Sequence, residues 1–125
     1  MMILVDTSIW VDHFRVSVPA LAELLLQEQV LVHQFVIGEL ACGNIQNRQE
    51  ILSLLHNLPQ ISVASEREVL LLIESRSLMG RGVGYIDMHL LASVLIRNGC
   101  KLWTRDKRLL AIASEMNLSL EPPIA

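Results

Sequence analysis

The sequence predicts an α/β fold, a central parallel sheet covered by helices on both faces. Short, wholly apolar runs alternate with longer stretches of helical period, and Gly, Pro or capping residues mark most of the changes between them. Neighbouring residues on a strand face opposite ways, so a strand without polar residues has both faces buried.

Met2-Ile3-Leu4-Val5 is the first such strand, and Asp6-Thr7-Ser8 behind it supplies a helix N-cap. Helical periodicity follows in Ile9, Trp10, His13 and Phe14, and again in Ala20, Leu21, Leu24 and Leu25, with Pro19 suited to a helix start. Val30-Leu31-Val32 is a second strand. Residues 35–42 form a helix that carries Glu39 among Val36, Leu40 and Ala41 and stops at Gly43-Asn44. An amphipathic helix over 49–58 is closed by Pro59, and Ile61-Ser62-Val63 is a third short strand. Ser65 with Glu68 matches a capping box and opens a helix running to about residue 79. The loop Gly80-Arg81-Gly82-Val83-Gly84 is not a phosphate-binding fingerprint, because it joins two helical segments and lacks the following Lys-Ser/Thr. Residues 85–98 form the next helix, with Gly99 as its stop; Lys101-Leu102-Trp103 is a strand and 104–106 its exit turn. A helix over 107–116 and a last strand, Leu118-Ser119-Leu120, precede a Pro122-Pro123 tail.

A chain of 125 residues is expected to form a single domain over 1–125 with one core. Its 52% hydrophobic and 18% charged content excludes intrinsic disorder and leaves apolar surface for a partner. With a net charge of −3, binding to a polyanion requires a local basic patch. Half of the ten basic residues fall in one stretch, Arg97, Lys101, Arg105, Lys107 and Arg108. Cys42 and Cys100 form no CxxC or zinc-like spacing and no signal peptide precedes them, so a reducing cytoplasm is expected. No apolar run reaches the ~18 to 20 residues of a membrane span.

Asp6, Glu39, Asp87 and Asp106 each sit beside apolar residues. Burying an ionised carboxylate costs several kcal/mol unless a counter-charge meets it. A hard cation such as Mg²⁺, which takes oxygen ligands, is a fitting counter-charge. Each acid also has a plain structural reading: Asp6 and Asp106 as helix caps, Asp87 as an anion favoured by a helix dipole, Glu39 as a partly exposed side chain. Ligands in open parallel sheets bind beyond the carboxyl ends of strands, and Asp6 and Asp106 both follow a strand. Asp12 is left outside the site, and His89 reads as a packing residue rather than a ligand.

Val5-Asp6-Thr7-Ser8, Gly38-Glu39-Leu40-Ala41 with Gly43, Ile86-Asp87, and Leu102-Trp103-Thr104-Arg105-Asp106-Lys107-Arg108-Leu109 occur in this order over nearly the whole chain. Together they resemble the PIN-domain family, and within it the VapC ribonuclease toxins of toxin–antitoxin pairs. The resemblance implies a three-layer α/β/α sandwich and an acidic Mg²⁺ site, with Mn²⁺ as an alternative, that hydrolyses RNA. It makes Asp6, Glu39, Asp87 and Asp106 the catalytic carboxylates and Thr7, Ser8 and Thr104 assisting hydroxyls; of the acids, Asp6 and Asp87 are expected as the principal metal ligands, with Glu39 and Asp106 as outer or second-ion ligands. Arg105, Lys107 and Arg108, next to a ligand, become candidates for RNA phosphates. A homodimer and a VapB-like antitoxin covering the active site are implied as well. Two rivals are a phospho-accepting receiver domain, whose paired acids after the first strand are replaced here by Asp6-Thr7-Ser8, and an interaction module with the fold but no catalysis.

Overall fold

The structure, a computed structural model, describes residues 1–120. Its elements are β1 (Met2–Val5), α1 (Thr7–Arg15), α2 (Pro19–Leu26), β2 (Val30–Leu31), α3 (Gln34–Cys42), α4 (Arg48–Asn57), α5 (Glu66–Ser75), α6 (Tyr85–Arg97), β3 (Cys100–Trp103) and α7 (Lys107–Glu115). The Pro122-Pro123 tail lies outside the described residues.

All pairings are parallel, in the order β2-β1-β3, with Ile3 opposite Val30 and Lys101, and Leu4 opposite Leu31 and Leu102. Consecutive residues Ile3, Leu4 and Val5 are all buried, so β1 is covered on both faces, as its unbroken apolar run requires. Helices α1 and α4 pack against α3, while α5 packs on α6 and α6 on β3. The strand expected at 118–120 shrinks to a single parallel bridge, Leu102 with Ser119, and the one expected at 61–63 does not form, the parallel bridge at that edge being Val32 with Gln60. Each holds by two backbone bonds: Val32 N–H to Pro59 O and Ile61 N–H to Val32 O at one edge, Leu102 N–H to Leu118 O and Leu120 N–H to Leu102 O at the other. Such short edges leave little ladder open to another chain.

Helix α5 stops at Ser75, short of the expected residue 79. Ser77 takes a left-handed φ of 54°, and the N–H groups of Ser77 and Leu78 turn back to Glu74 O and Ile73 O. This is a Schellman ending without glycine, secured by burial of Leu78 at 3% exposure. The capping box is present as expected: Ser65 Oγ accepts from Glu68 N–H and Glu68 Oε1 from Ser65 N–H. Among the described residues no helix is long and apolar enough to cross a membrane.

Because β1 lies between β2 and β3, its carboxyl end is where connections leave in opposite directions, the position at which open α/β sheets bind ligands. Asp6 is the first residue beyond that end.

Candidate active site

Asp6 is 4% exposed and ties the site together. Its Oδ1 accepts the Thr7 N–H at 2.7 Å, capping α1, and its Oδ2 accepts both Ser8 Oγ at 2.8 Å and Thr104 Oγ1 at 2.7 Å. The last bond crosses from β1 to the exit of β3, since Asp6 N–H also donates to Trp103 O in the ladder. Thr104 Oγ1 in turn accepts the Asp106 N–H at 3.1 Å, and Ser8 Oγ the Arg105 N–H at 3.2 Å. Thr7 Oγ1 donates to Glu39 Oε1 at 2.7 Å, joining α1 to α3. Each of the three hydroxyls proposed from the sequence thus hydrogen-bonds a carboxylate, and those of Ser8 and Thr104 also accept from backbone.

Asp106 is the N-cap of α7, its Oδ1 accepting from Arg108 N–H and Leu109 N–H at 2.9 and 3.1 Å. The capping readings of Asp6 and Asp106 thus hold, and neither precludes a ligand role: a cap fixes the direction of the remaining lone pairs. Asp87 differs. It lies half-buried in the first turn of α6, where the helix dipole favours an anion, but it accepts no hydrogen bond from a described residue. Burial first, then the charges of Asp6, Glu39 and Asp106, push its carboxyl up from 3.8 to about 7. That coupling brings all four sequence-predicted acids into one electrostatic neighbourhood.

The donors are carboxylate oxygens, which suit a hard divalent cation, and the mutual repulsion at Asp87 is the strain that such a cation relieves. Among the described residues no three His, Cys, Asp or Glu side chains converge closely enough to grip one ion. The fit is to Mg²⁺ in its usual mode, held by one or two carboxylates and retaining waters. It is not a closed protein cage.

The basic candidates are placed unequally. Arg105 is engaged by Asp12 in an ion pair, so Asp12, set aside on the sequence, reaches the rim of the site. Arg108 lies over Gly82, where φ is 80° and an added Cβ would collide with the guanidinium. Lys107 is exposed. Sequence reasoning also passed over His33, the N-cap of α3, and an apolar groove of about 980 Å³ that opens beside Glu39, lined by Trp10, Phe14, Leu25, Ile51 and Leu54 among others. A polar residue between an apolar strand and a helix was the signal for the first; Trp10 and Phe14, four apart on one helix face, for the second.

Residues 3–115 match the family profile of the PIN domain. The chain is 46% identical over 124 residues to proteins named Ribonuclease VapC32 from two Mycobacterium tuberculosis strains, CDC 1551 / Oshkosh and ATCC 25618 / H37Rv, a match spanning 99% of this chain and 100% of each relative.

Proposed function

The chain belongs to the PIN-domain family, and from that premise we propose that it is the endoribonuclease toxin of a toxin–antitoxin pair, hydrolysing RNA with Mg²⁺ or Mn²⁺ at Asp6, Glu39, Asp87 and Asp106. The name Ribonuclease VapC32 borne by its relatives supports the ribonuclease reading. The observation that carries the site assignment is at Asp87, where burial first and then the charges of three acids distant in sequence raise the carboxyl to about 7.

Asp6 and Asp87 are the principal ligands, with Glu39 and Asp106 holding waters or a second ion. The ion, when bound, supplies Lewis-acid stabilisation of the phosphate and lowers the pKa of a water. The chain's own contribution is orientation. Thr104 and Ser8 hold one oxygen of Asp6, Thr7 holds Glu39, and Asp87 accepts no hydrogen bond from the described residues. Attack by water leaves a 5′-phosphate and a 3′-hydroxyl. Lys107 and Arg108 meet the RNA backbone, and Arg105 joins them on exchanging Asp12 for a phosphate.

The apolar groove beside Glu39 suits an amphipathic segment of a VapB-like antitoxin, which would then cover the site. A homodimer is supported by α5, whose exposed stripe Arg67, Leu70, Leu71 and Glu74 falls on one face at helical spacing. About a two-fold axis, antiparallel copies of this stripe place Leu70 on Leu71 and Arg67 on Glu74. The protein acts in the cytoplasm as a single domain.

The test is cleavage of a mixed RNA pool by wild type and Asp6→Asn, with Mg²⁺ and with chelator, followed by mapping of new 5′ ends. Metal-dependent cuts bearing 5′-phosphates and absent from folded Asp6→Asn are expected. Cleavage that persists in the folded variant rejects the assignment.

A further inference from the structure

Two buried imidazoles stand outside the acidic pocket: His33 at the start of α3, fully buried, and His89 in α6, 4% exposed. The same two helices carry Glu39 and Asp87.

His33 is the N-cap of α3, its Nδ1 accepting the Phe35 N–H at 3.0 Å. Ser, Thr, Asp or Asn are the usual caps. An imidazole replaces them only with Nδ1 bare, so the proton of a neutral His33 sits on Nε2. Burial, aided by His89, lowers the His33 pKa to about 4, which keeps the ring neutral at physiological pH. The resulting Nε2–H is a buried donor with no partner among the described residues. Such a donor carries its full desolvation penalty.

The neighbouring ring offers the matching orphan. His89 Nδ1 is also buried without a partner, and the two rings stand edge-on with centroids 6.3 Å apart. Phe35 contacts both, at 5.1 Å from His33 and 4.7 Å from His89, and Tyr85 packs on His89 at 4.7 Å. Apolar rings would fill this space with no polar atoms to satisfy, so packing alone does not account for two imidazoles. Neither nitrogen finds a protein partner among the described residues, so a donor on one ring and an acceptor on the other are accounted for if one water bridges them.

We propose that His33 and His89 are positioning residues, a buried donor–acceptor link through one bridging water that fixes α3 against α6 and thereby sets Glu39 relative to Asp87. The effect on metal binding rests on the reading of these carboxylates as ligands; the link itself does not.

The experiment compares Mn²⁺ affinity of the full chain as wild type, His89→Phe and His89→Asn. Phe keeps the aromatic packing and loses the acceptor, whereas Asn keeps an acceptor near the Nδ1 position and loses the ring. The link predicts that Phe weakens Mn²⁺ binding about tenfold, the scale of lost outer-shell contacts, and that Asn stays within about twofold of wild type. The opposite order, Phe unaffected and Asn impaired, overturns the proposal. Nitrogen-15 spectra of the metal-free wild type decide the link independently of these variants. The expected result is the Nε2–H tautomer of His33 with a nuclear Overhauser effect from that proton to one long-lived water; the other tautomer, or no such effect, overturns it. If wild type binds no Mn²⁺, the ligand reading fails by itself and the spectra still decide the link.

Discussion

Asp87→Asn isolates the electrostatic cost of gathering the acids. The Asp87 carboxyl stands at about 7 in the folded chain against an ordinary 3.8. At about 1.4 kcal/mol per unit the whole displacement is worth about 4 kcal/mol. The carboxyl is only half-buried, and solvent screening reduces this to about 1–2 kcal/mol. Because the folded-state value is raised, the folded chain retains a proton between pH ~4 and ~7 that the unfolded chain has released, so stability falls as pH rises through that window. At pH 8 the metal-free wild type bears the full penalty and the Asn variant none. The variant should therefore be more stable at pH 8 by about 1–2 kcal/mol, or about 4–8 °C in Tm, with the advantage gone near pH 4. Thermal unfolding in chelator at both pH values reads this out. An equal difference at both pH values, or no gain at pH 8, would refute the electrostatic account of the site.

Thr104→Val deletes a hydroxyl that donates to Asp6 and accepts from the Asp106 N–H; it should cost about 1–2 kcal/mol in stability and cut RNA cleavage about 10- to 100-fold, and a cleavage rate equal to wild type would show the hydroxyl is dispensable. Asp12→Asn frees the Arg105 guanidinium and should steepen the salt dependence of RNA binding by about one unit of slope; filter binding over a salt series checks it, and an unaltered slope removes Arg105 from the RNA surface. Arg67→Glu should dissociate the proposed dimer, and adding Glu74→Arg should restore it, as read by sedimentation; a double variant that stays dissociated counts against that two-fold contact.

Much of this fold is legible in the sequence because its strands carry unbroken apolar runs and its caps are conventional. Met2-Ile3-Leu4-Val5 is β1 to the residue, and Ser65 with Glu68 forms the capping box. The edges were less legible. Ile61-Ser62-Val63 and Leu118-Ser119-Leu120 have strand composition, yet the first forms no strand, the bridge falling on Gln60 before it, and the second pairs only at Ser119. The overrun of α5 arose because its Schellman ending uses Ser77 where sequence rules look for glycine, and Glu28 and Asn117 adopt the same left-handed φ after α2 and α7.

The acids were found individually because ionisable residues in apolar surroundings stand out. Their hydroxyl partners followed from the family resemblance, and only three dimensions link Thr104 to Asp6 across a separation of 98 residues. Asp12 was left outside the site for the opposite reason: on α1 it reads as a solvated charge, and its meeting with Arg105 depends on how β3 exits beside β1. His33 has only its place between an apolar strand and a helix to mark it as a cap, since imidazole serves there only when burial keeps it neutral.

The claim on which the function rests is that these carboxylates hold a divalent ion. Titration of the metal-free chain with Mn²⁺, followed by electron paramagnetic resonance with Mg²⁺ as competitor, tests it most directly. Saturable binding that Mg²⁺ displaces and that weakens at least about tenfold in Asp6→Asn and Asp87→Asn is the predicted result. No saturable binding, or equal binding in wild type and both variants, would contradict it.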